Sequence, residues 1–195
     1  MSFLDELKKQ KEKLKLAETV VTQADGQRHV ERLNQTGFQI SACPPNQYGF
    51  VVDTKPDDIP CLVIHSLYIG SQDCAVTEIL DKFQIKNIVS LGIKMELASY
   101  NNVYIECLDL PETDIKPILN SSLGFIKKAV DLKENVLIHC NAGVSRTSMV
   151  AIGYLMYYEN YSYLDAYDLL KGKRPAIQPN AGFVRQLKLS ERGMA

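Results

Sequence analysis

The chain has 195 residues, 46% of them hydrophobic and 23% charged, with a formal net charge of −1 and a pI near 6.3. That is about one domain with an appendage, and enough apolar content for a real core. The near-neutral balance argues against a chain-wide electrostatic grip on nucleic acid or an anionic membrane, and no apolar run approaches the roughly 20 residues of a membrane span.

In chain order, the first 18 residues read as a helix. Leu4, Leu7 and Leu14 recur near helical spacing, and Lys8, Lys9, Lys11, Lys13 and Lys15 give it a basic, solvated face. Residues 19–60 lack strong periodicity and hold four prolines and three glycines, which predicts a loose extension with a short strand near Phe50 to Val52. From Pro60 the pattern tightens. Leu62 to Ile69 predicts two strands around a turn, Ala75 to Phe83 a short helix, and Asn87 to Leu91 and Val103 to Leu108 two further strands. Leu119, Leu123, Ile126 and Val130 share one face of a helix over Ile118 to Leu132. Val136 to Ile138 is a short, fully apolar strand, Arg146 to Tyr158 an apolar and therefore central helix, and Tyr163 to Leu170 and Gly182 to Leu189 complete a helical C-terminal half. Strands alternating with helices make an α/β fold with a central, mainly parallel sheet flanked by helices. The division expected is a helix and loose extension over 1–59 and a catalytic domain over 60–195.

The five cysteines, Cys43, Cys61, Cys74, Cys107 and Cys140, are odd in number and form no Cys-x-x-Cys pair. No apolar leader precedes them. This reads as a reducing compartment, cytoplasmic with the nucleus as a second location, in which most of these thiols are small buried hydrophobes.

One of them stands apart. The strand Val136 to Ile138 runs into His139-Cys140-Asn141-Ala142-Gly143-Val144-Ser145-Arg146-Thr147, and a helix follows at once. A short loop between a strand end and a helix start turns several N–H groups toward one point, where the helix dipole adds to them. Gly143 permits the tight path. The field that binds an anion also favours ionised sulfur on Cys140, making it a nucleophile. Arg146, six residues on, can hold two phosphoryl oxygens with its planar fork. Thr147 can donate its hydroxyl to the sulfur, and His139 is read as orienting the loop through hydrogen bonds. No metal or cofactor is called for, since the amides and Arg146 carry the charge.

His-Cys-x-x-Gly-x-x-Arg-Thr at 139–147 resembles the signature of the protein tyrosine phosphatase superfamily, and its His-Cys-Asn-Ala-Gly-Val-Ser-Arg form resembles the dual-specificity branch. The likeness runs from about Leu62 to Leu187 and includes Leu67 to Asp73, Asp109-Leu110-Pro111-Glu112-Thr113, and Arg174-Pro175 through Phe183. Atypical members, without a kinase-docking domain, are the most similar, and among them the type that regulates stress-activated protein kinase pathways. The sixty or so residues before the matching region are too few for such a domain. The resemblance implies a phosphatase-like fold and hydrolysis of phosphotyrosine and phosphoserine or phosphothreonine through a phosphocysteine. It also implies a phosphorylated protein as partner, a stress-pathway kinase among the candidates. A phosphoprotein-docking scaffold and a phosphatase for RNA ends or phosphoinositides are the rival readings. The loop carries no basic residue between Cys140 and Arg146, unlike the usual lipid phosphatase loop.

The departing oxygen needs a proton from a carboxylic acid on another loop. Asp109, Glu112 and Asp114 lie between the strand ending at Leu108 and the helix from Ile118. In the family the acid stands about thirty residues before the nucleophile, which favours Asp109, with Asp114 second. Asn180 reads as the N-cap of the last helix, Arg174-Pro175 as a helix end, and the tyrosines from Tyr154 to Tyr167 as packing.

Overall fold

A computed structural model describes residues 18–22, 28–34, 37–42, 50–51 and 57–192. The helix expected over the first 18 residues falls almost wholly outside them; residue 18 itself opens a strand. The chain divides into two compact units, Met1–Thr54 and Lys55–Ala195.

The first unit is built on strands where the sequence pattern predicts a loose extension. β1 (Glu18–Thr22), β2 (Arg28–Asn34), β3 (Gly37–Ala42) and β4 (Phe50–Val51) form one sheet in the order β3-β2-β1-β4. β1, β2 and β3 pair antiparallel, and β4 runs parallel to β1. β1 and β2 carry little contrast between alternate positions, whereas β3 alternates Phe38, Ile40 and Ala42 with Gln39 and Ser41 and is readable as a strand. Arg28-His-Val-Glu-Arg-Leu-Asn is mostly polar, and a strand held by its main-chain ladder leaves no period-2 trace in such a sequence.

The second unit is an α/β sandwich around a five-stranded sheet of order β5-β6-β9-β7-β8. β5 (Cys61–Ile64) and β6 (Leu67–Gly70) form a hairpin. β6, β9 (Asn135–His139), β7 (Ile85–Leu91) and β8 (Asn101–Ile105) then run parallel, so the expected mainly parallel sheet is what forms. β9 sits in the middle with neighbours on both edges and helices on both faces, which is why Asn135-Val-Leu-Ile-His is apolar through its centre. Alternation sorts its side chains. Val136 and Ile138 join the larger core with Leu67, Ile69, Val89 and Leu91, whereas Leu137 faces the smaller one with Ile85, Ile88 and Leu80.

The larger face is covered by α2 (Ile115–Asp131), α3 (Arg146–Tyr158), α4 (Tyr163–Lys173) and α5 (Ala181–Arg192); α1 (Thr77–Lys82) lies on the smaller. Ten consecutive residues of α3, Thr147 to Met156, are buried, as the central position predicted for it requires. α2 begins three residues before its expected start because Pro117 falls in the first turn, where its missing N–H costs no hydrogen bond. Its N-cap is Asp114, whose carboxylate accepts from the Lys116 N–H at 3.0 Å. The tyrosines split. Tyr154 and Tyr163 are core, while Tyr157, Tyr158 and Tyr161 are exposed. No helix among the described residues is long and apolar enough to cross a membrane.

Candidate active site

Strand order alone places the site. β9 is flanked by β6 and β7, with Gly70 and Ser90 in register with His139. The loop 140–145 therefore leaves the sheet between the carboxyl ends of two neighbours, where α/β sheets bind ligands.

The direction of the loop's peptide groups follows from its partners. The Asn141 carbonyl accepts from the Gln72 N–H at 3.0 Å, Ala142 from Arg174 Nη2 at 3.1 Å, and Gly143 from Arg174 Nε at 3.0 Å. Val144 accepts from the Gln178 N–H at 3.0 Å and Ser148 Oγ at 2.6 Å, and Ser145 from Ser148 Oγ at 2.8 Å and the Met149 N–H at 3.0 Å. Each carbonyl is thus held against the surrounding structure. In a planar trans peptide the N–H of the next residue points the opposite way, so the amides of Ala142 to Arg146 turn inward. Gly143 is the pivot at φ +64°. A Cβ there would lie 2.5 Å from the main chain of Gly70, a backbone clash that nothing can relieve.

Every residue singled out from the loop sequence is in this cradle or at its wall. Cys140 is 2% exposed and forms its floor at the end of β9. Arg146 opens α3, and its Nη1 donates to the carbonyls of Leu91 at 3.2 Å and Cys107 at 3.4 Å, which fixes the guanidinium across the loop. His139 is fully buried, with Nε2 2.7 Å from Ser90 Oγ. Burial pushes it down to about 4, with the Cys140 main chain offsetting part of the effect, so the ring is neutral at physiological pH. Asn141 is exposed on the outer turn, Ala142 and Val144 are half-buried, and Ser145 is buried. Among the described residues three buried side-chain atoms lack a partner: His139 Nδ1, Arg146 Nε and Thr147 Oγ1. All three fall within this one stretch. Unpaired buried polar atoms are rare and costly, and a cluster of them marks a place prepared for something else.

Asp109 reaches the same loop from the segment after β8. It does not follow the strand directly: β8 ends at Ile105, and 106–108 carry the chain out of the sheet. Its Oδ1 accepts from Ser145 Oγ at 2.6 Å and Asn180 Nδ2 at 2.8 Å, and the Asn180 N–H donates to Ser145 Oγ at 3.1 Å. Asp114, the second candidate, is occupied as the cap of α2, and Glu112 is exposed with no hydrogen-bond partner among the described residues. The other described cysteines are unsuited to be nucleophiles. Burial raises Cys61 and pushes Cys74 up to about 11 and Cys107 up to about 12, which keeps them as thiols.

Sequence reasoning missed four contributors. Arg174, read as a helix end, holds two loop carbonyls from a buried position. Asn180 caps α5 through the Phe183 N–H at 3.0 Å as expected, and also grips Asp109. Gly92 has φ +70°, and a Cβ there would stand 2.3 Å from Arg146 Nη1 and 2.4 Å from the Cys107 carbonyl. Gly182, in the first turn of α5, abuts the Asp109 segment so closely that a Cβ would meet the Pro111 oxygen at 1.9 Å. The glycine after β7 was the one readable signal, since a glycine ending a strand often marks a close approach.

Inward-facing amides of the loop, the Arg146 guanidinium, Cys140 at the end of β9 and the Asp109 carboxylate are gathered at the carboxyl end of the sheet, on an α/β scaffold of the phosphatase class. The comparisons carry this further. Residues 67–193 match the dual specificity phosphatase catalytic domain family (DSPc). The chain is 40% identical over 133 residues to the dual specificity protein phosphatase MPK-4 of Drosophila melanogaster, covering 65% of this chain and 34% of the fly protein, so it spans about a third of that relative. It is 34% identical over 183 residues to the mouse (Mus musculus) dual specificity protein phosphatase 19, covering 90% of this chain and 83% of the mouse protein. The crystal structure of human tyrosine phosphatase-like serine/threonine/tyrosine-interacting protein aligns at TM-score 0.65 and 27% identity, covering 69% of this chain and 97% of that one. The chain belongs to the dual specificity phosphatase family, a branch of the protein tyrosine phosphatase superfamily.

Two outcomes are expected from this geometry. Gly92→Ala displaces the Arg146 guanidinium and weakens tungstate binding, measured by calorimetry, by at least about tenfold; unchanged affinity means the guanidinium does not depend on that glycine. Stability falls as pH drops from 6.5 toward about 4, because the unfolded chain takes up a proton at residue 139 that the folded one refuses. The full effect is about 3 kcal/mol. Urea unfolding across this window should be less steep in pH for His139→Gln, and equal slopes would show that His139 is not the group responsible.

Proposed function

We infer that the chain hydrolyses phosphate monoesters on protein side chains through a phosphocysteine formed on Cys140. The observation that supports this most directly is the cluster of unpaired buried atoms at 139–147, set in a loop whose carbonyls are all tied outward. A phosphoryl group supplies the partner that Arg146 Nε lacks: its equatorial oxygens take the inward amides and the guanidinium.

In the first step Cys140 sulfur attacks phosphorus in line and the bond to the leaving oxygen breaks. Asp109 supplies the proton that oxygen needs. With Oδ1 engaged by Ser145 and Asn180, Oδ2 is left to carry it. In the second step the same carboxylate, now ionised, takes a proton from water as the water displaces sulfur and releases phosphate. Thr147, with its hydroxyl unpaired, donates to the departing thiolate. His139 stays neutral and holds the strand end to Ser90 rather than moving protons. The substrates are phosphotyrosine together with phosphoserine or phosphothreonine, a phosphorylated stress-pathway (MAP) kinase among them, in the reducing cytoplasm or nucleus that a working thiol requires.

Cys140→Ser abolishes release of phosphate from a small aryl phosphate while tungstate still binds. Activity equal to wild type in that variant ends the covalent mechanism. Asp109→Asn slows esters with poor leaving groups by about 10²–10⁴-fold and those with good ones far less; equal losses for both remove Asp109 from the acid role. For substrate class, phosphotyrosine and phosphothreonine peptides should outrun phosphoinositide and RNA 5′-phosphate in a side-by-side assay. The reverse order reassigns the enzyme.

A further inference from the structure

We propose that Asp57 is a positioning residue for the phosphate loop, acting through Arg174, although it lies ten residues upstream of Leu67, where the family match begins. The proposal rests on the catalytic reading above but concerns how the loop is held.

Arg174 ends α4 directly behind the loop, with its side chain 9% exposed. Nε donates to Gly143 O at 3.0 Å and Nη2 to Ala142 O at 3.1 Å. These are the carbonyls of the tightest part of the turn, and fixing them outward aims the amides of Gly143 and Val144 inward. The opposite edge of the guanidinium meets both oxygens of Asp57, Nη1 to Oδ1 at 3.3 Å and Nη2 to Oδ2 in a direct ion pair. One planar group thus joins the loop on one side to Asp57 on the other.

Asp57 is itself held at its main chain. Its carbonyl accepts from Ser71 Oγ at 2.9 Å and Cys74 Sγ at 3.1 Å, and its N–H donates to Asp73 Oδ2 at 3.2 Å. The same short segment supplies Gln72, whose N–H takes the Asn141 carbonyl. Residues 71–74 therefore brace the loop twice, once directly and once through Asp57 and Arg174. A buried guanidinium without its carboxylate would turn toward water, and the two carbonyls would be freed. Arg174 meets the loop on its carbonyl side, opposite the inward amides. Its effect, and that of Asp57, is on the aim of the amides.

Those amides grip the phosphoryl oxygens and take no part in protonating the leaving group. Asp57→Asn is therefore expected to lower kcat/KM by about tenfold or more, equally for good and poor leaving groups, and to weaken tungstate binding to the full-length protein by a similar factor. The basic limb of the pH profile stays in place, and Asp57→Glu recovers part of the loss. A merely structural role would lower the thermal midpoint without lowering tungstate affinity in the folded fraction. Where Asp57→Asn does not fold, Arg174→Lys replaces it, since one amine cannot hold both carbonyls and both carboxylate oxygens; the same losses are expected. Affinity and turnover within twofold of wild type in the folded variant overturn the proposal. If wild type itself turns over no phosphate ester, the catalytic reading fails, and the tungstate affinities alone still decide the role of Asp57.

Discussion

The site depends on the outward pull on the carbonyls of residues 141–145. A short loop of amides converging on one point is electrostatically unfavourable while empty, because like partial charges face each other. It persists because each carbonyl on the reverse side has a donor: Ser148 and Met149 from the first turn of α3, and, from distant parts of the chain, Gln72 after β6, Arg174 at the end of α4 and Gln178 beyond it. The tertiary fold sets the polarity of the loop. The signature residues then occupy a cavity whose electrostatic character already exists.

This explains what could be read in the sequence and what could not. The loop itself was legible, because Cys140, Gly143 and Arg146 are each demanded by local chemistry and sit at a strand-to-helix junction. The strands and helices of the second unit were legible because burial on one or both faces leaves a periodic record, as in β9 and α3. The donors behind the loop were not. Arg174 precedes a proline and looks like any helix end, and its contact with the loop exists only once the chain has folded back to Gly143 across a sequence separation of 31. Asn180 gave an ambiguous signal: one side chain caps a helix through its oxygen and holds Asp109 through its nitrogen. In the first unit β3 carries an alternating pattern, but β1 and β2 do not, and main-chain pairing leaves no other trace in a sequence.

Net charge hides the electrostatics in the same way. A chain at −1 gathers Arg146, Arg174 and Asp109 around one loop, with Arg174 paired to Asp57. Amides converging on one point repel one another, and the core of β9, α2 and α3 holds the loop against that repulsion. A central strand between two parallel neighbours is the best-supported place in the sheet for such a burden, since its main chain is paired on both edges.

The contact between Gly182 and Pro111 bears on timing. The segment bearing Asp109 is wedged against the first turn of α5 at Pro111 and tethered to Ser145 and Asn180 at its carboxylate. Both holds come from elsewhere in the chain, one from α5 and one from the loop after β9, so Asp109 reaches its place only once the last described helix has packed, and the C-terminal end of the fold completes what the central strand begins.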